Sequence, residues 1–346
     1  MITDGLKLTS YFGERQRAGG TPGAKGQFVA DALAGLYGRN QVAVSILLRG
    51  AEGFGLKHRL RTDLSLSLSE DLPLTAIAVD ERERIEALAP EAVRLTGSGL
   101  VTLERARLLT GDLDGHAAEG NGGAAKVTIY LGRQERVYRV PAFVAVCDLL
   151  HRRGIDGATA LLGVDGTAHG RRERALFFSR NAEVPMMVIA VGAEGPITRV
   201  LPELGGLLAR PLITVEKVVV CKRDGRLLRP PPAGGGEPRW QKLMVYTSEA
   251  ARAGGQPIHR AIVRRLRTAG LSGATTQLGI WGFHGDHAPH GDRLLQLTRH
   301  VPAVTSVIDR PDRIARAFGV IDELTTETGL VTSENVPARF RPGDDS

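Results

Sequence analysis

Short runs that alternate apolar and polar residues are followed by apolar residues at helical spacing, and this succession occurs three times along the chain. The first element of each round reads as a strand: Leu6-Lys7-Leu8-Thr9-Ser10-Tyr11, Ala125-Lys126-Val127-Thr128-Ile129-Tyr130 and Gln241-Lys242-Leu243-Met244-Val245-Tyr246. Each carries Lys second and Tyr sixth. A helix is predicted next, from Phe28, Ala32 and Leu36, from Phe143, Cys147 and Leu150, and from Ile258, Ile262 and Leu266. Pro141 and Pro257 suit a first helical turn, where a missing N–H breaks no hydrogen bond, and Gly154 and Gly270 suit the helix ends. A second strand then runs into a glycine pair: Gly50-Ala51-Glu52-Gly53, Gly163-Val164-Asp165-Gly166, Gly279-Ile280-Trp281-Gly282. A third strand starts at Pro73, Pro185 or Pro302, consistent with proline's confinement to strand starts and edges. A second helix is predicted from near Glu81, Pro196 and Pro311, with Asp80 and Asp309 placed to cap it. Leu100–Glu104, Leu212–Glu216 and Leu330–Glu334 close the rounds as a last strand.

Strand, helix, strand, strand, helix, strand, three times over, predicts an α+β chain of three tandem ferredoxin-like βαββαβ domains. The expected boundaries are 1–112, 124–223 and 240–338, with linkers at 113–123 and 224–239 and a tail at 339–346. The second linker holds Arg229-Pro230-Pro231-Pro232 and Gly234-Gly235-Gly236, a composition without periodicity. Each sheet would leave one face without helices, so the three are expected to bury those faces together as an intramolecular pseudo-trimer and a monomer.

Composition narrows the function classes. Hydrophobic residues make up 42% and charged residues 24%, and no apolar run approaches membrane-spanning length. The N-terminus shows no basic region followed by an apolar stretch, so a cytoplasmic protein, not itself membrane-embedded, is expected. Cys147 and Cys221 stand alone, without metal-ligand or disulfide spacing. The net charge of +7 would suit an anionic partner, but only 5% of residues are aromatic and none interleave with a basic run. Nucleic acid is therefore not an expected partner.

From Leu48-Arg49-Gly50-Ala51-Glu52-Gly53-Phe54-Gly55 through Ser69-Glu70-Asp71-Leu72-Pro73 to Gly99-Leu100-Val101-Thr102-Leu103-Glu104, the first round resembles the PII-like family called domain of unknown function 190. The second and third rounds are diverged copies. The resemblance implies a ferredoxin-like trimer with effector sites in clefts between subunits, here between copies, and target contacts through the loop after strand two. It implies a signalling or regulatory role with a nucleotide or other small anionic molecule as ligand. It also implies a protein target, and through relatives associated with fluoride-channel proteins a membrane-transport one. PII proteins carry a glycine- and lysine-containing phosphate loop ahead of the last strand. Here that place holds Thr96-Gly97-Ser98-Gly99, Leu208-Ala209-Arg210-Pro211 and Glu327-Thr328-Gly329.

Candidate ligand contacts are the glycine pairs, whose backbone N–H groups can face an anion, and the basic residues around them. They are Arg49, Gly50, Gly53, Lys57, His58, Arg59 and Arg61 in the first copy, Gly163, Gly166, Arg171 and Arg172 in the second, and Gly279 and Gly282 in the third. The same glycines would also serve as plain turns. The third copy offers a different chemistry, since His284, Asp286, His287 and His290 could hold a divalent transition metal. A metal-responsive protein or a scaffold without a ligand is the alternative to the anion sensor. No nucleophile, base and oxyanion donors assemble within a copy, so enzyme activity is not expected. Lys7, Lys126 and Lys242, with Glu104, Glu216 and Glu334, are expected to pair across the sheet or between copies.

Overall fold

The computed structural model describes residues 1–19, 26–55, 58–63, 71–111, 113, 122–168, 171–174 (backbone), 184–233, 240–285, 288–291 and 301–340. In the first copy, the principal elements are β1 (Ile2–Gly13), α1 (Val29–Arg39), β2 (Val44–Arg49), β3 (Pro73–Glu81), α2 (Arg82–Thr96) and β4 (Leu100–Thr110). The second copy has β5 (Ala124–Gly132), α3 (Ala142–Arg152), β6 (Gly157–Ala168), β7 (Pro185–Ala193), α4 (Glu194–Leu207) and β8 (Leu212–Arg223). In the third are β9 (Trp240–Ser248), α5 (Ile258–Thr268), β10 (Ala274–Leu278), β11 (Pro302–Asp309), α6 (Pro311–Leu324) and β12 (Leu330–Val336).

Local signals act much as the pattern predicts. Pro141 and Pro257 are the N-cap residues of α3 and α5, and Gly154 (φ 70°) and Gly270 (φ 77°) take the left-handed conformation after the same helices. Asp80 and Asp309 do something other than cap. Each accepts a bond from the next residue's N–H, while the second carboxylate oxygen accepts from Ala43 N–H (2.9 Å) or Ser272 N–H (3.1 Å) ahead of strand two.

The expectation of three ferredoxin-like domains set together as a pseudo-trimer is corrected by the sheet. Eight antiparallel strands close on themselves as a barrel, in the order β2, β3, β1, β4, β8, β5, β7, β6 and back to β2. Two of these junctions cross from copy to copy: Val44–Leu48 pairs with Gly163–Ala168, and Arg107–Thr110 with Leu212–Val215. The third copy joins the same hydrogen-bonded system. β12 pairs with β8, β10 with Glu52–Phe54, Trp281–His284 with β6, and Ala338–Phe340 with β4. Nineteen strands among the described residues thus form one sheet, and only six helices accompany it. The physical reason is the edge. A separate four-stranded unit would leave a row of unpaired N–H and C=O groups on each outer strand, and pairing with the next copy removes them.

Alternation along the strands sorts side chains to two faces. Leu6, Leu8 and Phe12 of β1 pack with Leu33 and Leu36 of α1 and Leu88 and Ala92 of α2. Comparable cores lie under α3 and α4 and under α5 and α6. The opposite face turns to a shared interior where Ile46, Leu48, Val79 and Leu108 of the first copy meet Tyr130, Leu161 and Met187 of the second and Met244 and Val304 of the third.

At the centre of that interior the repeated lysines and glutamates form a closed ring. Lys7 lies 2.8 Å from Glu104 and 2.5 Å from Glu216; Lys126 lies 2.8 Å from Glu216 and 2.5 Å from Glu334; Lys242 lies 3.5 Å from Glu334 and 2.7 Å from Glu104. Each ammonium therefore bridges its own cross-strand partner and the glutamate of a neighbouring copy. Burial works against every one of these charges, yet Glu104 and Glu216 hold the Lys7 pKa well above the ordinary lysine value. Burial likewise opposes the Glu104 carboxylate, which Lys242 and Lys7 nonetheless hold well below the usual range.

Candidate functional site

Between the first and third copies lies a cleft of about 390 Å³. Its first-copy wall is built from the end of β1 (Tyr11, Phe12, Gly13), the segment after strand two (Phe54, Gly55, Arg59, Arg61) and the Ser98-Gly99 turn; its third-copy wall from Gly273, Ala274 and Thr275 with Ser306 and Ile308. Strand pairing of Glu52–Phe54 with β10 brings the two walls together. A volume in this range suits a small organic ligand.

The cleft has an apolar floor and a charged rim. Phe54 is buried, and the His58 ring stacks on it with centroids 5.9 Å apart. Arg61 pairs with Asp71 at 2.7 Å, and Asp71 also accepts the Arg15 backbone N–H at 2.6 Å. Gly13 makes room for that pair, since a Cβ there would lie 2.4 Å from the Asp71 carboxylate. Gln16 fastens the turn, donating from its amide to the Thr96 carbonyl at 2.5 Å. Arg59 is exposed on the rim.

The three copies are not equivalent at this position. In the third copy, Gly225 (φ 76°) of the second sits against Thr326, where a Cβ would come 2.0 Å from the carbonyl oxygen, and Asp224 N–H donates to Gly329 at 2.8 Å. The second copy's hairpin thus covers the turn that corresponds to Ser98-Gly99. The first copy's turn instead lines the open cleft.

Of the residues singled out from sequence, Arg59 and Arg61 meet in this cleft, and His58 lies on its Phe54 wall. Arg49 points to a surface pair with Glu14 at 3.1 Å. Gly53, Gly166 and Gly282 lie where a neighbouring copy passes closest, and Gly50, Gly163 and Gly279 against the proline that starts the third strand of their own copy. A Cβ at Gly53 would lie 2.6 Å from the Ala274 carbonyl oxygen, at Gly166 2.1 Å from that of Ser45, and at Gly282 2.3 Å from that of Ala158. Gly50, Gly163 and Gly279 are equally confined, with Cβ approaches of 2.8, 2.3 and 2.8 Å to Pro73, Pro185 and Pro302. None of the six has a positive φ, so close approach and not turn geometry accounts for them.

Lys57, Asp286 and His287 lie outside the described residues, as do the side chains of Arg171 and Arg172. His284 faces Asp224 at 3.8 Å, and the His290 ring contacts the Ala288 carbonyl at 3.0 Å. Among the described residues, Glu104, Glu216 and Glu334 are the group of three whose ligand atoms fall within 4.8 Å of one another, and the three lysines already engage them. Asp71, Gln16 and Ser306 carry no signal in the sequence that marks them for this cleft. Their contribution depends on which strand ends meet, and only Gly13 carries a local hint of it.

A single family model matches the chain three times, at residues 5–108, 124–220 and 240–338. The chain belongs to the DUF190 family. Its description is an uncharacterized ACR, and the three matches make the chain three tandem copies of that unit. A UPF0166 protein of Aquifex aeolicus is 30% identical over 95 residues, which cover 27% of this chain and 88% of that protein. A UPF0166 protein of Methanocaldococcus jannaschii is 26% identical over 89 residues, 26% of this chain and 82% of the relative. Both relatives have the length of one DUF190 unit. No helix among the described residues is long and apolar enough to cross a membrane.

Proposed function

We propose that this DUF190 chain is a PII-like regulatory protein that senses a small anionic effector, such as a nucleotide, in the cleft between its first and third copies. The observation that carries this reading is the meeting of Arg59 and Arg61 with the Ser98-Gly99 turn around an apolar floor of Phe12 and Phe54. Guanidinium groups on a rim engage phosphate or carboxylate oxygens, and the floor takes a flat or apolar body. Asp71 holds Arg61 in place until a ligand oxygen competes for it. Filling the cleft would bridge two copies and alter the adjoining segment after strand two, which gives a protein target, a transport protein included, a surface that differs between free and bound forms.

Thermal-shift screening of the full chain against adenine nucleotides, cyclic dinucleotides and bicarbonate tests this. At least one compound is expected to raise the melting temperature, and the R59A/R61A variant is expected to lose that response while keeping the fold. No response in the native chain, or an equal response in the variant, would overturn the proposal.

A further inference from the structure

A second cavity, of about 730 Å³, lies away from the effector cleft, where the closing strands of all three copies pass one another. The residue that follows each ring glutamate lines it: Arg105 after Glu104, Lys217 after Glu216 and Asn335 after Glu334. Arg107 adds a second guanidinium. This convergence arises because β8 pairs in turn with β4, β5 and β12, so the same register that closes the glutamate ring also gathers the three succeeding positions.

The charges there are not balanced. Asp4 is held by Arg82 at 2.6 Å, and Glu216 by Lys7 and Lys126 at 2.5 and 2.8 Å. Arg105, Arg107 and Lys217 have no ion-pair partner among the described residues, and Glu194 is the remaining acid in the lining. Three cationic side chains thus face one uncommitted carboxylate. The rest of the wall is largely apolar, with Val215, Val218, Val219 and Pro337, which raises the strength of charge contacts made against it.

We infer that this junction binds a compact polyanion carrying two or more negative charges, held by Arg105, Arg107 and Lys217, with Asn335 donating from its amide. Carboxylate and phosphate groups share the required chemistry: both accept forked bonds from a guanidinium, and a point charge from lysine. A ligand here would touch all three copies, beside Glu216 of the ring that ties them together. The site is separate from the cleft of Arg59 and Arg61 and does not depend on it.

Calorimetric titration of the full chain with citrate and, separately, with inorganic pyrophosphate at low ionic strength provides the test and distinguishes the two chemistries. At least one should bind with a dissociation constant of about 1 mM or tighter, and more weakly as salt is added. Because Arg105 and Lys217 are exposed, the R105A/K217A variant should keep its circular dichroism spectrum and melting temperature. It should lose at least about tenfold in affinity, and Lys217→Gln alone should lose several-fold. The R59A/R61A variant should bind as the native chain does. Absence of binding by both probes, undiminished affinity in R105A/K217A, or loss of binding in R59A/R61A would overturn the inference.

Discussion

Lys7 of the first copy and Glu216 of the second, 209 positions apart in sequence, form an ion pair of 2.5 Å at the centre of the molecule. Both side chains are buried, and each has a second partner in the ring. Removing one partner from such a pair strands a buried charge, which is far worse than never having had the pair. Lys7→Met should therefore destabilise the chain by about 3–5 kcal/mol. Urea unfolding of the K7M and K7M/E216Q variants checks this: the double variant should recover part of the loss, and an unchanged midpoint in K7M would show that the ring contributes nothing.

The ring also sets the response to acid. Glu104 is held well below the 4.5 at which an unfolded glutamate titrates, so its contribution is complete above 4.5 and is lost as pH falls through the folded value. Stability measured from pH 6 down to about 2 should drop steeply only below about 4.5. A Glu104→Gln variant should be weaker at neutral pH and show a shallower acid limb.

Glu52 should act with the opposite sign. It is wholly buried at the junction of the first and third copies, neither carboxylate oxygen has a hydrogen-bond partner, and the nearest guanidinium, Arg264, is 3.8 Å away. Burial pushes its pKa up to about 7, with Arg260 and Arg264 only partly offsetting that effect. The folded state then holds a proton that the unfolded state releases, and stability declines as pH rises from about 4.5 to about 7. Glu52→Gln should remove that decline and raise stability at pH 8 by about 2–3 kcal/mol. A pH profile identical to that of the native chain would show that the carboxylate is accommodated in its ionised form.

The glycine pairs make a fourth test, because the space around Gly53, Gly166 and Gly282 is filled by another copy. Gly166→Ala would place a methyl group 2.1 Å from the Ser45 carbonyl oxygen, and β2 would have to part from β6 to admit it. The expected loss is about 2 kcal/mol or more, in the range of overpacked cores. Gly206, exposed in the last turn of α4 with open space around it, is the control. Gly206→Ala should stabilise by up to about 1 kcal/mol. Paired thermal melts of the two variants give the comparison directly.

These residues mark where sequence reading succeeds and where it stops. Lys7, Lys126 and Lys242 recur at the same place beside Tyr11, Tyr130 and Tyr246, so the three copies and their strand and helix order are legible from local pattern. Alternation in β1 likewise separates Leu6 and Leu8 from Lys7 and Thr9. The pairing of Val44–Leu48 with Gly163–Ala168 leaves no such trace, because register between distant strands depends on edge geometry that periodicity does not encode. The barrel is consequently illegible in the pattern, which predicts separate domains instead. The same gap affects the cleft. Arg59 and Arg61 are visible as basic residues near glycines, whereas Asp71 enters through a pairing with Arg61 that spacing does not show, and Ser306 only once the first and third copies are joined.

Closure of the barrel within one chain predicts the state of assembly. Both outer strands of the first copy find partners inside the molecule: β2 with β6, and β4 with β8 and with Ala338–Phe340. The apolar interior face, including Ile46, Leu48, Val79 and Leu108, is covered by residues of the second and third copies. No second chain is needed to satisfy either edge, so light scattering on the full chain should give a mass near 37.0 kDa at micromolar concentration. A stable mass near three times that value would mean that the copies pair between chains instead. The first copy alone, residues 1–115, should behave differently. It would expose both strand edges and that interior face, on which Lys7 and Glu104 would lie without Glu216 and Lys242 to complete their ring. Open edges beside an apolar surface are templates for further pairing. The fragment should therefore self-associate or precipitate under conditions in which the full chain stays monomeric, and a soluble monomeric fragment would show that closure is not what keeps the edges from pairing.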